Sequence, residues 1–260
     1  MATEPPKPNI DVGRVVSRGF TALKANFLPF FGFALVLAGA PAFLQSWYTS
    51  SMQQDVLTGR FDPGSFFGAL LLALFTTILG FALLQGAITR ATIRQLGGRD
   101  SDPAGSAVHA LKQLLPLIGI GICVGLMLVV GLIALIVPGI MVWCACAVAV
   151  PALVEERRGV FGSIQRSWDL TRGSRGQIFL IGLLFYVFQV VVGAIAGIFT
   201  GASMIQTGGA LPDPLFLGIG NGLASSLTNT ISAVLLATLY VELREVKEGA
   251  STELLADVFG

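Results

Sequence analysis

Charge is what this sequence has least of. Asp, Glu, Lys and Arg make up only 12% of its 260 residues, against 54% hydrophobic residues and a mean hydropathy of +0.79. A soluble domain carries about a quarter charged residues. One soluble core cannot hide this much apolar surface, so the composition places the chain in lipid. There every backbone group must be satisfied internally, which leaves helices or a closed barrel. The apolar runs far exceed the roughly ten-residue alternating strands of a barrel, and an all-α membrane protein is expected. A net charge of +1 gives no electrostatic footing for nucleic acid.

Other absences narrow the chemistry. No charged residue falls in the middle of any apolar run. A charge at that depth costs about 2.5–3.5 kcal/mol on insertion scales and marks ion or proton traffic. Its lack argues against a proton-coupled pump, a voltage sensor and an intramembrane aspartyl protease. A single His rules out a His-Glu-x-x-His metalloprotease. Cys123, Cys144 and Cys146 all lie within apolar runs and lack metal-ligand spacing; they read as packing residues. No Pro-x-acid-x-x-base motif of the mitochondrial-type carriers occurs. A secretory signal is also missing. The first 26 residues are charged and proline-bearing (Glu4, Pro5, Pro6, Lys7, Pro8) and end in no small-residue cleavage site, so the first span should remain as an anchor. No catalytic, cofactor-binding or metal-binding constellation emerges.

What is present is six apolar runs, at about 27–45, 66–88, 114–137, 140–154, 178–199 and 215–241. A bilayer core of about 30 Å needs about 20 helical residues, so the fourth run is short and the sixth must tilt or protrude. Counting the runs off sorts the cations. Lys7, Arg14, Arg18 and Lys24 precede the first. Arg90, Arg94, Arg99 and Lys112 separate the second from the third. Arg157, Arg158, Arg166, Arg172 and Arg175 separate the fourth from the fifth, and Arg244 and Lys247 follow the sixth. Only Arg60 falls on the other side. Lys/Arg bias in short loops sets orientation; both termini are expected in the cytoplasm, in a bacterial inner membrane.

Only Val137-Pro138-Gly139-Ile140 separates the third and fourth runs. Pro then Gly at central positions suits a type II turn, so a tight helical hairpin is expected there. The cytoplasmic segments carry their own periodicity. In 10–26, Val12, Val15, Val16, Phe20 and Leu23 share a face that Phe27 extends, with Arg14, Arg18 and Lys24 opposite, the pattern of an interfacial helix with its basic side toward headgroups. Asp102-Pro103 supplies an N-cap and a first-turn proline for a helix over 103–113 with Val108, Leu111 and Leu115 inward. A third, over 160–172, would turn Val160, Phe161, Ile164 and Trp168 inward and Gln165, Arg166, Asp169 and Arg172 outward. A short helix is expected at 252–259. The order is threefold: amphipathic cytoplasmic helix, then transmembrane hairpin. Ala22-Leu23-Lys24 recurs as Ala110-Leu111-Lys112, and the third copy offers Leu170-Thr171-Arg172.

Several polar features have two readings each. His109, on the polar face of its helix, is either a general base or a solvated residue; no nucleophile stands beside it in sequence, which favours the second. Glu155-Glu156-Arg157-Arg158 either holds a divalent cation or ends a span by pairing with itself or with lipid phosphate, the commoner case. The last run carries Asn221, Ser225, Thr228, Asn229 and Ser232. These either line a polar path or form interhelical hydrogen bonds, worth about 0.6 kcal/mol each; the face of Asn221, Ser225, Thr228 and Ser232 should point inward either way, with Gln85 and Gln189 as partners. Gly193, Gly197 and Gly201, like Gly121 and Gly125, are spaced for close helix approach, within the chain or between copies.

The stretch from Pro138-Gly139 through Pro151-Ala152-Leu153-Val154-Glu155 and Gly162-Ser163 to Arg166-Ser167-Trp168-Asp169-Leu170-Thr171-Arg172-Gly173 resembles the membrane domain named after glycerophosphoryl diester phosphodiesterases, and related six-span inner-membrane families of bacteria. The specific match covers about 114–184. The resemblance implies a non-enzymatic membrane protein of envelope or lipid handling, or a scaffold for a membrane partner. Some members carry a soluble phosphodiesterase domain after the membrane part; here a short tail follows the last run, so no phosphodiesterase residue is carried over. The Glu155–Arg158 run is more charged than the family's usual pattern. Physically, Trp168 suits the headgroup level and Arg166 and Arg172 suit phosphate, while Gly173 can end the helix. Membrane lipid, another membrane protein or a second copy are the expected partners. A small-solute or lipid transporter with a path along the last span is the alternative.

Overall fold

The computed structural model describes residues 10–60, 62–206 and 213–249. Among these no strand occurs. The helices are α1 (Val12–Ala25), α2 (Phe27–Ala34), α3 (Ala40–Leu57), α4 (Pro63–Leu96), α5 (Pro103–Lys112), α6 (Leu114–Ala134), α7 (Ile136–Cys146), α8 (Ala149–Glu156), α9 (Gly159–Thr171), α10 (Arg175–Gln206) and α11 (Pro214–Arg244), with π-turns at Leu35–Gly39 and Glu245–Gly249. The helix expected over 252–259 lies outside the described residues. Six helical stretches are long and apolar enough to cross a membrane: Phe27–Gln53, Phe66–Leu96, Leu114–Ala134, Ile136–Glu156, Arg175–Ile198 and Pro214–Gly249.

Proline explains why two of these are broken. Pro41 has no N–H for the Leu37 carbonyl, and a π-turn carries α2 into α3 at that level. Gly80 of α4 sits against the exposed carbonyl, where any Cβ would collide with Leu37. Pro151 likewise leaves the Ala147 carbonyl without its donor, and the fourth span divides at Ala147–Val148 into α7 and α8.

The turn between the third and fourth spans is not where the sequence places it. A single extended residue, Leu135 (φ −176°, ψ 160°), joins α6 to α7. Pro138 and Gly139 lie inside the first turn of α7, where a missing N–H is no loss. Gly139 is what the hairpin needs: a Cβ there would meet the Leu132 side chain at 2.5 Å, and one at Gly131 would meet Gly139 Cα at 3.1 Å.

Helix α11 packs against α3, α4 and α1. Its buried row is Gly218, Gly222, Ser226, Thr230, Ala233 and Ala237. A Cβ on Gly222 would stand 2.9 Å from the Gly39 carbonyl oxygen, so the first and last spans cross at backbone distance.

Helices do form at 12–25, 103–112 and 159–171, but their inward faces differ from the sequence reading. In α1 the buried residues are Val15, Gly19, Ala22 and Leu23, while Val16 and Phe20 are exposed. In α5 they are Ser106 and Ala110; Val108, Leu111 and the following Leu115 are exposed. In α9 they are Ser163, Ile164, Ser167, Leu170 and Thr171, whereas Phe161 is 79% exposed and Trp168 36%. The reason is common to all three. Lipid is as apolar as leucine, so small residues seek helix contacts and large apolar side chains need not.

Candidate functional site

Apart from Arg60, on the α3–α4 connection, the described cations lie on or beside α1, the end of α4, α5, α8, α9, the start of α10 and the last turns of α11, segments that contacts join into the basic end of the fold. The framework is a network of ion pairs. Glu242 of α11 is fully buried and pairs with Arg14 and, at 2.8 Å, with Arg18 of α1. Arg18 also donates through both terminal nitrogens to Glu245, at 2.7 and 3.0 Å. The expected headgroup-facing basic side of α1 is thus partly occupied by α11. A second knot centres on Glu156, the last residue of α8. It accepts from Arg166 Nε at 2.7 Å and from the Tyr240 hydroxyl at 2.9 Å, and pairs with Arg158 at 2.8 Å. Arg166 pairs in addition with Glu248, which holds Arg244 at 2.7 Å. Burial opposes the Arg166 charge, yet its hydrogen bonds to Glu156 and Glu248 hold its pKa above the ordinary value.

Arg166 is therefore a bridge between α8, α9 and α11, and not a free phosphate ligand. Its two expected companions are placed differently. Trp168 and Arg172 line a crevice of about 860 Å³ between α6, α9 and the start of α10. Met127, Phe161 and Ile164 supply its apolar wall; Gln165, Asp169 and Arg175 join Arg172 at its polar edge. The Arg175 guanidinium lies over the Trp168 ring, 5.2 Å from its centroid. Gly173 adopts φ +92° and ends α9 just before α10 begins, a turn that glycine makes without steric cost.

The Ser-Trp-x-Leu-Thr run also has an inward use. Ser167 donates its hydroxyl hydrogen to the Ala145 carbonyl at 2.6 Å, with Thr171 at 3.4 Å from the same oxygen. Both are fully buried and lie beside the interruption between α7 and α8. In an apolar interior such hydrogen bonds matter, because an unmet polar group there is costly.

The polar residues of α11 do not face one way. Asn221 is exposed and donates to Ser46 Oγ at 2.7 Å; Ser225, Thr228, Asn229 and Ser232 are half-buried. Thr228 and Asn229 donate to carbonyls of their own helix, Ala224 and Ser225, at 2.9 and 2.8 Å. The inward row is that of Ser226 and Thr230, about one position round, because the crossing with Gly39 selects the smallest side chains. The pairing expected of Gln85 and Gln189 is not made: Gln85 is buried on α4 and Gln189 is exposed on α10. Gln85, Thr89 and Thr92, four and three residues apart, are all buried with side-chain atoms that find no hydrogen-bond partner among the described residues. Gly121, Gly125, Gly193 and Gly197 have nothing within 4 Å of a Cβ position, so these rows make no close approach within the chain.

His109 accepts a hydrogen bond from Gln113 at 2.8 Å and lines a cavity of about 390 Å³ with Lys112 and Arg157. Burial first, then Arg90, Arg157 and Lys112, press its pKa below the ordinary 6.5. Arg157 caps α8 at φ +52°, the only non-glycine residue with positive φ among those described. Nor do three His, Cys, Asp or Glu residues come together as a metal group among the described residues.

Six helical stretches long and apolar enough to cross a membrane mark a multi-pass α-helical membrane protein. The chain belongs to the family described as a domain of unknown function, DUF7847, which matches it over residues 10–243. No solved structure matches it.

Proposed function

We propose that this is a non-enzymatic inner-membrane protein of bacterial lipid or envelope handling, built as three transmembrane hairpins, each preceded by an interfacial helix, with both termini cytoplasmic. The likeness of 138–173 to the glycerophosphodiester phosphodiesterase membrane domain supports this reading, as does the cation distribution. The observation that carries it is the crevice between α6, α9 and α10. One wall is apolar (Met127, Phe161, Ile164) and the rim holds Trp168, Arg172 and Arg175, matching the two halves of a phospholipid: acyl chain against the wall, phosphate at the guanidinium groups. Mass spectrometry of the protein released gently from detergent tests it. Retained phospholipid, reduced by about thirtyfold in the double variant R172Q/R175Q, is expected if each of the two lost charged contacts is worth about 1 kcal/mol; equal retention in both proteins refutes it.

A transport reading has its own support in Gln85, Thr89 and Thr92, a buried polar row with no partner among the described residues, on a helix packed against α11. It predicts solute or lipid flux in proteoliposomes that Gln85→Leu abolishes and that replacing Asn221 and Asn229 with Leu reduces; unchanged flux in all variants removes the reading.

A further inference from the structure

We propose that a second cavity at the basic end, lying between the ends of α4, α8 and α11, is a binding site for a multiply charged phosphate-bearing anion. It measures about 670 Å³ and shares no lining residue with the crevice around Trp168. Arg90 and Arg94 reach it from α4, Arg99 from the turn that follows and Arg157 from the cap of α8. Arg157 is remote in sequence from the other three, and its convergence with them is a product of the fold.

Two features separate this basin from an ordinary solvated basic surface. First, its arginines are not ion-paired among the described residues, and Glu155 and Asp102 favour the Arg90 charge only through space, less than burial and the neighbouring Arg94 and Arg157 oppose it. None of the four forms an ion pair with a described residue, while the acids at the rim are engaged elsewhere: Glu245 by Arg18, and Glu248 by Arg166 and Arg244. The remaining rim acid, Glu155, is exposed. Arg94 Nε is buried and has no hydrogen-bond acceptor. Gathering like charges and leaving a buried donor unmet both cost stability; a phosphate group, accepting two hydrogen bonds from each guanidinium fork, removes both costs together.

Second, Arg157 occupies a backbone conformation that suits glycine. The left-handed region is sterically disfavoured for an L-residue, and a helix cap of this kind is usually filled by Gly. Strain retained at a cavity wall is characteristic of a residue kept for its side chain. Arg157 also lines the neighbouring cavity that contains His109, so the lone histidine of the chain stands as a natural reporter of charge in the basin.

The test uses the full-length protein in detergent with ring-labelled histidine, followed by NMR. Inorganic pyrophosphate, titrated at constant ionic strength, should raise the His109 pKa saturably by cancelling the field of Arg90 and Arg157. Arg157→Gly suits the backbone, so it keeps the fold; it should weaken binding by about tenfold or more, as expected for loss of a charge-assisted hydrogen bond. Arg94→Gln should do the same. Nanodiscs separate the two sources of phosphate. If phosphatidic acid in a phosphatidylcholine bilayer itself raises the His109 pKa and blocks pyrophosphate, the ligand is a lipid headgroup. If pyrophosphate binds equally with and without phosphatidic acid, it is a soluble phosphate. A His109 pKa unmoved by either probe, or binding that survives both Arg157→Gly and Arg94→Gln undiminished, overturns the site.

Discussion

Arg18 donates to Glu242 across 2.8 Å, tying α1 to a fully buried carboxylate near the end of α11. The same guanidinium grips Glu245 one turn on, and this hydrogen bond above all raises the Arg18 pKa beyond its ordinary value. A buried carboxylate stripped of its partners is far costlier than one replaced outright. The double variant R14Q/R18Q should therefore lose about 3–5 kcal/mol of stability, read as a drop in unfolding midpoint in detergent. Adding Glu242→Gln should restore most of it. Failure of that third substitution to recover stability would show that Glu242 is not what the arginines hold in place.

Helix α9 closes the interrupted fourth span through Ser167. Ser167→Ala should cost about 1–3 kcal/mol, the penalty for leaving a buried acceptor unmet, and Thr171→Ala less, since its oxygen lies farther from the Ala145 carbonyl. Thermal unfolding checks the order. Equal and negligible losses would mean that the carbonyl finds another donor.

Arg157→Gly should raise stability, or leave it unchanged, by up to about 1 kcal/mol, because the left-handed conformation suits the replacement. Arg157→Ala keeps the strain and should gain nothing. A lower unfolding midpoint for the glycine variant would contradict the strain assigned to that position.

Burial, followed by Arg90, Arg157 and Lys112, holds His109 below 6.5. The neutral ring is then the folded form, and the unfolded chain takes up its proton at higher pH. Stability should decline as pH falls through 6.5, and His109→Gln should remove that part of the decline. By the same logic, Arg157→Gly should move the His109 midpoint upward in an NMR titration. A midpoint at or above 6.5 in the unmodified protein would refute the environment described.

The spans were legible because they rest on run length, and so was the cap of α5, where Asp102 Oδ1 accepts from the Gly105 N–H at 2.8 Å. Helix faces were not. Reading Val108, Leu111, Phe161 and Trp168 as inward applies a rule made for water; in lipid the small residues Ser106, Ala110, Ser163 and Ser167 take the contacts. Pro138-Gly139 fits a turn and a helix start equally well on local chemistry. The consequence of Pro151 for Ala147 could be read from the sequence, but the donors that repair the region, Ser167 and Thr171, come from the next helix. Arg166 looked free because Glu248 lies 82 residues away, and Arg90, Arg94, Arg99 and Arg157 share a cavity only after α4, α8 and α11 assemble.

Which side of the membrane receives those arginines decides everything proposed for them. In a cysteine-free background, single cysteines at Arg60 and at Asp100 can be probed in intact cells with a membrane-impermeant maleimide. Labelling of position 60 from outside, with position 100 labelled only after the membrane is opened, is the predicted result. Position 100 labelled in intact cells, or both positions reacting from one side, would contradict it.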